Sequence, residues 1–197
     1  MALVSAPYGF QPINSLSGTP RAIRMPFGIA SGQAGNIFKF APITIEGGVI
    51  VLADATTDPI WGIFAGVEFT PVGGRPQVSP FWPDGQTYDS TFNMFVYFWA
   101  ARDPTLRFLV QADGSVAQAL MGAEFNVANP TAGSTATGLS ACGLLHGGAG
   151  SGQQGQFFLE EFGVGVNDQL GGGDAFTNMI VGVSRAQVGG APQVSIA

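Results

Sequence analysis

Charge is what this sequence has least of. Asp, Glu, Lys and Arg make up 10% of its 197 residues, against roughly 25% in an ordinary soluble domain. The one lysine is Lys39, and the arginines at 21, 24, 75, 102, 107 and 185 are scattered along the chain. Neutralising a phosphate backbone requires clustered cations, and the formal net charge here is -6, so nucleic acid is not an expected partner. A single cysteine, Cys142, excludes an internal disulfide and fits folding in a reducing cytoplasm. With His146 the only histidine, a zinc site built on Cys and His lacks ligands, and no metal or cofactor is expected. The longest apolar run, Met94–Ala101, is far shorter than the about 20 residues of a membrane span. The start, MALVSAPYGF, has no basic region and is broken by Pro7, which argues against a signal peptide and a membrane partner.

What is present is apolar and rich in turns. Hydrophobic residues reach 46% and aromatics 11%, alongside 30 glycines and 13 prolines. Short extended runs between turn residues predict an all-β chain, a compact β-barrel or β-sandwich. Residues 1–36 carry prolines at 7, 12, 20 and 26 without sustained alternation and read as an extended N-terminal arm. Its anchors, Tyr8 and Phe10 first among them, either dock on a partner or lie along the protein's own core. Residues 37–197 read as the β-rich core, with a C-terminal subregion from about residue 130. Predicted strands include Ile37–Ile45 and Val49–Leu52 as a hairpin, Trp61–Phe69, Phe92–Ala101, Leu106–Gln111, Gln156–Val166 and Phe176–Ser184, with a further hairpin at Ala112-Asp113-Gly114 and one helical turn in Ser115–Gly122.

Trp61–Gly85, WGIFAGVEFTPVGGRPQVSPFWPDG, is apolar on both faces of a strand and holds no group able to do chemistry. At period two, Trp61, Ile63, Ala65, Val67 and Phe69 share one side, and Gly62, Phe64, Gly66 and Glu68 the other. Trp61 is therefore expected inward and Phe64 outward. The candidate interface residues are Tyr8, Phe10, Phe64, Phe81 and Trp82. So little charge also predicts self-association.

The chemically capable residues do not assemble into a motif. Ser151 lies in GAGSGQ, which lacks the strand-to-helix setting of a nucleophile elbow, and reads as a flexible loop. Cys142 and His146 read as a buried thiol and a loop imidazole. Glu160 and Glu161 are neighbours in a predicted strand, so they are expected on opposite faces, unable to flank one substrate bond. The glycine runs at 147–155 and 171–173 lack the lysine of a phosphate loop. Trp82 and Trp99 could form a carbohydrate platform, although core or interface is the simpler reading in a chain so rich in Phe. No catalytic residues are expected.

Four runs, APYGFQPI at Ala6–Ile13, GIFAGVEF at Gly62–Phe69, SPFWPDG at Ser79–Gly85 and DPTLRFLVQADGS at Asp103–Ser115, resemble the decoration, or cement, proteins that coat the heads of tailed double-stranded-DNA phages. They cover parts of the first 115 residues, and their order is more specific than any one of them. The last third departs from the family in its long glycine runs. The resemblance implies a non-enzymatic virion protein, β-tulip-like among the β architectures, made in the host cytoplasm. It would bind the outer surface of the capsid as a homotrimer and cement major capsid protein subunits. An acidic balance suits a position outside the shell, away from packaged DNA. The alternatives are a carbohydrate-binding tail or surface module and, more distantly, a hydrolase using His146.

Overall fold

A computed structural model of the chain describes residues 5–15, 18–26, 28–148, 154–163 and 176–187. The described residues form an all-β, sandwich-like fold, as composition predicted. The strands are β1 (Gln11–Asn14), β2 (Ile23–Met25), β3 (Pro42–Glu46), β4 (Val49–Leu52), β5 (Gly62–Phe69), β6 (Gln77–Ser79), β7 (Phe95–Ala100), β8 (Arg107–Gln111), β9 (Glu124–Phe125), β10 (Val127–Ala128), β11 (Gly133–Ser134), β12 (Leu139–Ser140), β13 (Gly143–Leu144), β14 (Phe157–Phe162) and β15 (Asn178–Val183). One sheet runs β1-β8-β15-β14-β9; the other runs β2-β7-β5-β3-β4, with β6 added beside β5. All strand pairs are antiparallel. A single 3-10 turn, Gln118–Leu120, occupies the predicted helical turn. Among the described residues no helix is long and apolar enough to cross a membrane.

Two cores organise the described residues. Phe108, Val110, Phe157, Leu159, Met179 and Val181 point from the first sheet into one core, where Ile60, Ile63 and Ala101 meet them. The second core lies against the six-stranded sheet. Ile43, Ile50, Phe64, Val67, Phe69, Val96 and Phe98 pack there under Ile29, Ile37, Trp82 and Met94, which come from the connecting segments. The segment carrying Trp82 is joined to Ile37 by reciprocal backbone hydrogen bonds of 2.9 and 3.0 Å, which fixes this covering layer without adding a further strand. Burying large aromatics on both sides of one sheet is how a chain with so little charge finds enough interior.

The amino-terminal segment is part of the fold. Gln11 and Pro12 pair with Leu109 and Phe108, and Ile23–Met25 pair with Phe98–Val96. Phe10 is fully buried and stacks on Phe157 with ring centroids 4.3 Å apart. Gly9 permits this approach: its φ is +74°, and a Cβ there would lie 2.7 Å from that of Phe40. Of the two readings of the arm, residues 5–15 and 23–25 therefore follow the one along the protein's own core, and the expected boundary at residue 37 does not separate arm from core. Nor does a subregion begin near residue 130, because β14 and β15 share their core with β8. The predicted hairpin at Ala112–Gly114 is also absent. There the chain leaves the sheet, the Asp113 N–H donates to the Leu144 carbonyl, and the Gly114 carbonyl accepts from Thr177.

Candidate contact surface

Three of the five candidate interface residues are interior. Phe10, Phe64 and Trp82 are each 0% exposed. Trp61 is buried as expected, but Phe64 shares its core, so the outward placement of Phe64 is corrected. Its ring is buried because a core covers each face of β5, Ile63 entering the first and Phe64 the second; a β-bulge then changes the facing of the residues that follow. Phe64 pairs with Phe98 and Gly66 with Tyr97, leaving Ala65 as an extra residue. That insertion resets the alternation, so Phe64, Val67 and Phe69 fall on one face instead of two. Gly66 completes the bulge at φ +149°, where a Cβ would lie 2.9 Å from the Ser79 carbonyl oxygen. Trp82 meets Phe69 edge-on with centroids 4.8 Å apart, deep in the second core. Tyr8 is half-buried, and its hydroxyl donates to Asn178 Oδ1 at 3.1 Å. Phe81 is half-buried against Phe38, with centroids 5.7 Å apart.

The surface that remains open lies on the other side of the bulged strand. Residues paired directly across a sheet project to the same face. Since Val96 and Phe98 enter the second core, Phe95, Tyr97 and Trp99 project the opposite way, together with Arg24, Glu68 and Val78 from neighbouring strands. The first core covers the Trp99 end of this row, where Trp99 stacks on Phe40 with centroids 5.6 Å apart. Beyond it the face opens into a shallow groove of about 500 Å³, lined by Ala22, Lys39, Ala65, Gly66, Val78, Ser79, Pro80, Tyr97 and Trp99. Val78 is 74% exposed at its rim.

Glu68 is already engaged: Tyr97 donates its hydroxyl to Oε2 at 3.0 Å, and Arg24 Nη2 lies 3.4 Å from the same oxygen. The Arg24 guanidinium also sits 3.5 Å above the centre of the Phe95 ring. Lys39, half-buried, has no ion pair among the described residues; its ammonium lies 5.1 Å from the centre of the Phe40 ring. The sequence signal that finds this surface is FVYFW at Phe95–Trp99, whose alternate aromatics serve opposite faces; of these the sequence reading singles out Trp99, but pairs it with Trp82, which lies in the second core.

The remaining reactive groups lie apart from this groove. Cys142 is fully buried, and burial pushes its thiol up to about 12. His146 is exposed and its Nδ1 lies 2.8 Å from Asp113 Oδ1, an oxygen that also accepts the His146 backbone N–H. These are the buried thiol and loop imidazole that the sequence suggested. Glu160 and Glu161 depart from expectation. A second bulge, at Glu160, leaves both carboxylates exposed and returns Phe162 to the core with Phe157 and Leu159. Glu160 pairs with Arg107. Ser151 and the glycines at 171–173 lie outside the described residues. Among the described residues no three of His, Cys, Asp and Glu gather as a metal site. No family model matches the chain, and neither a curated protein nor a solved structure shows significant similarity to it.

Proposed function

We propose that this protein is a non-enzymatic structural component of a tailed-phage virion, bound to the outer surface of the head as a homotrimer and cementing major capsid subunits. The observation that carries the reading is where the four family-like runs fall. The first and last, Ala6–Ile13 and Asp103–Ser115, supply the neighbouring strands β1 and β8. The other two supply β5 and the segment whose Trp82 packs against Phe69. Ala6–Ile13 and Asp103–Ser115, distant in sequence, are thus partners in space, which supports reading them as parts of one fold. The low charge and the open aromatic groove support a protein whose surface is covered by neighbours.

Mixing the purified chain with mature heads that lack it tests the proposal. The expected result is co-sedimentation, added density outside the shell and a higher temperature of head disruption. A folded protein that stays in the supernatant at saturating concentration would overturn the reading. Light scattering of free and head-released protein tests the trimer, and a monomeric mass in both would remove it. Tyr97 and Trp99 in the groove favour one second reading, a carbohydrate-binding tail or surface module. Oligosaccharide titration of the isolated protein decides that alternative.

A further inference from the structure

We propose that the groove over the β5 bulge docks an extended acidic segment of a partner protein, one carboxylate meeting Lys39 and a neighbouring aliphatic side chain lying over Gly66. This goes beyond the decoration reading, because the recognition chemistry requires no capsid. The shape comes from the bulge. Gly66 lies in the lining together with Tyr97, Val78 and Ser79, and about 500 Å³ accommodates a few side chains of an extended strand. Among the described residues β6 pairs with β5 alone, and a partner's backbone pairing beside the exposed Val78 would extend this short strand.

Charge selects the occupant. The chain carries -6 overall, yet at this face Lys39 and Arg24 stand against one acid, Glu68. Glu68 is neutralised by Arg24 and Tyr97. Lys39 lines the groove without a counter-ion among the described residues, and a half-buried ammonium next to aromatic rings gains most from a carboxylate that replaces its lost water. A neutral glycan would leave Lys39 uncompensated, and a nucleic acid would face the repulsion of the remaining acidic surface.

Fluorescence polarisation of the full-length protein with a labelled peptide, acetyl-Val-Glu-Val-Asp-Val-Thr-amide, tests the inference beside a version with both acids replaced by lysine. The acidic peptide is expected to bind saturably with a dissociation constant at or below about 1 mM, and more weakly as salt is raised. The lysine version is expected not to bind. Lys39→Gln should weaken binding at least about fivefold, and Val78→Asp, a substitution at an exposed rim position, should do the same by repulsion. Each variant is compared with the parent by thermal melt, so that loss of fold is separated from loss of binding; if one fails to fold, the other decides. Absence of binding by the acidic peptide at several times that concentration would overturn the proposal. So would equal binding of the two peptides, indifference of a folded variant, or occupation of the groove by maltohexaose in its place. Failure of head attachment with intact peptide binding would count against the decoration reading alone.

Discussion

The side-chain amide of Gln187 pairs with both backbone groups of Ile45: Oε1 accepts the Ile45 N–H at 2.9 Å and Nε2 donates to its carbonyl at 3.0 Å. β5 pairs with β3 only at Pro42 and Ile43 before diverging, so the amide continues the ladder where a strand is missing. The same oxygen accepts from the Thr44 hydroxyl, and Arg185 bonds the carbonyls of Thr56, Thr57 and Gln154. The segment that follows β15 of the first sheet thereby clamps the second sheet. Gln187→Ala is expected to lower unfolding free energy by about 1–3 kcal/mol. Gln187→Glu keeps the shape but cannot donate to the Ile45 carbonyl, and its loss should equal or exceed that of alanine in urea denaturation.

Phe64→Ala and Trp61→Ala should both destabilise, each by about 3–5 kcal/mol, because both rings occupy the second core. Val78→Ala, at a rim position 74% exposed, should stay within about 0.5 kcal/mol of the parent. Denaturant midpoints of the three variants provide the comparison. A neutral Phe64→Ala would contradict the burial of this ring in the second core.

Gly66→Ala combines an unfavourable positive φ with a Cβ placed 2.9 Å from the Ser79 carbonyl oxygen. A loss of about 1–3 kcal/mol is expected, along with weaker protection of the β5–β6 amides in hydrogen exchange. Wild-type protection in the variant would show that the hairpin tolerates the side chain.

Cys142 should resist alkylation in the native protein and react promptly in urea, since its thiol is fully buried and stays protonated to about 12. The folded state holds this proton more tightly than the unfolded chain, whose thiol titrates near about 8.5. The corresponding stability is fully present below that value and is lost as pH rises toward about 12. Cys142→Ala should flatten this part of the pH dependence of the urea midpoint.

Asp103 ties the β1 end to the start of β8. Its carboxylate accepts the Thr105 hydroxyl at 2.6 Å and the Ser15 hydroxyl at 3.0 Å, and the Thr105 hydroxyl is the main cause holding its pKa below the usual carboxylate range. A lowered folded pKa means stability that is present above the unfolded value of about 3.9 and is lost as pH falls below it. Asp103→Asn should therefore reduce the decline of the urea midpoint on acidification, and an unchanged acid limb would contradict this role.

The all-β class, the Pro42–Leu52 hairpin and most strand positions were legible in the sequence, because turn residues and β-branched or aromatic runs act through local backbone preferences. The loop position of His146 was legible for the same reason, and the buried thiol of Cys142 because a free cysteine behaves as a small apolar side chain. Strand facing was not. Period-two reading assumes that every residue advances the pleat by one, whereas Ala65 and Glu160 are each extra against their partner strands, and one unpaired residue transfers all that follow to the other face. Gly66 in GIFAGVEF is a weak mark of an insertion, since a glycine inside a strand often signals a bulge, and FFLEEF carries none; which residue is extra is decided only relative to Phe98–Tyr97 in one case and Val181–Ile180 in the other. The amino-terminal segment was undecided for a related reason: its apolar anchors suit any hydrophobic edge. The pairing of Gln11 with Leu109 is a nonlocal choice, made when the complete tertiary packing offers β8 as the edge against which Phe10 can be fully buried.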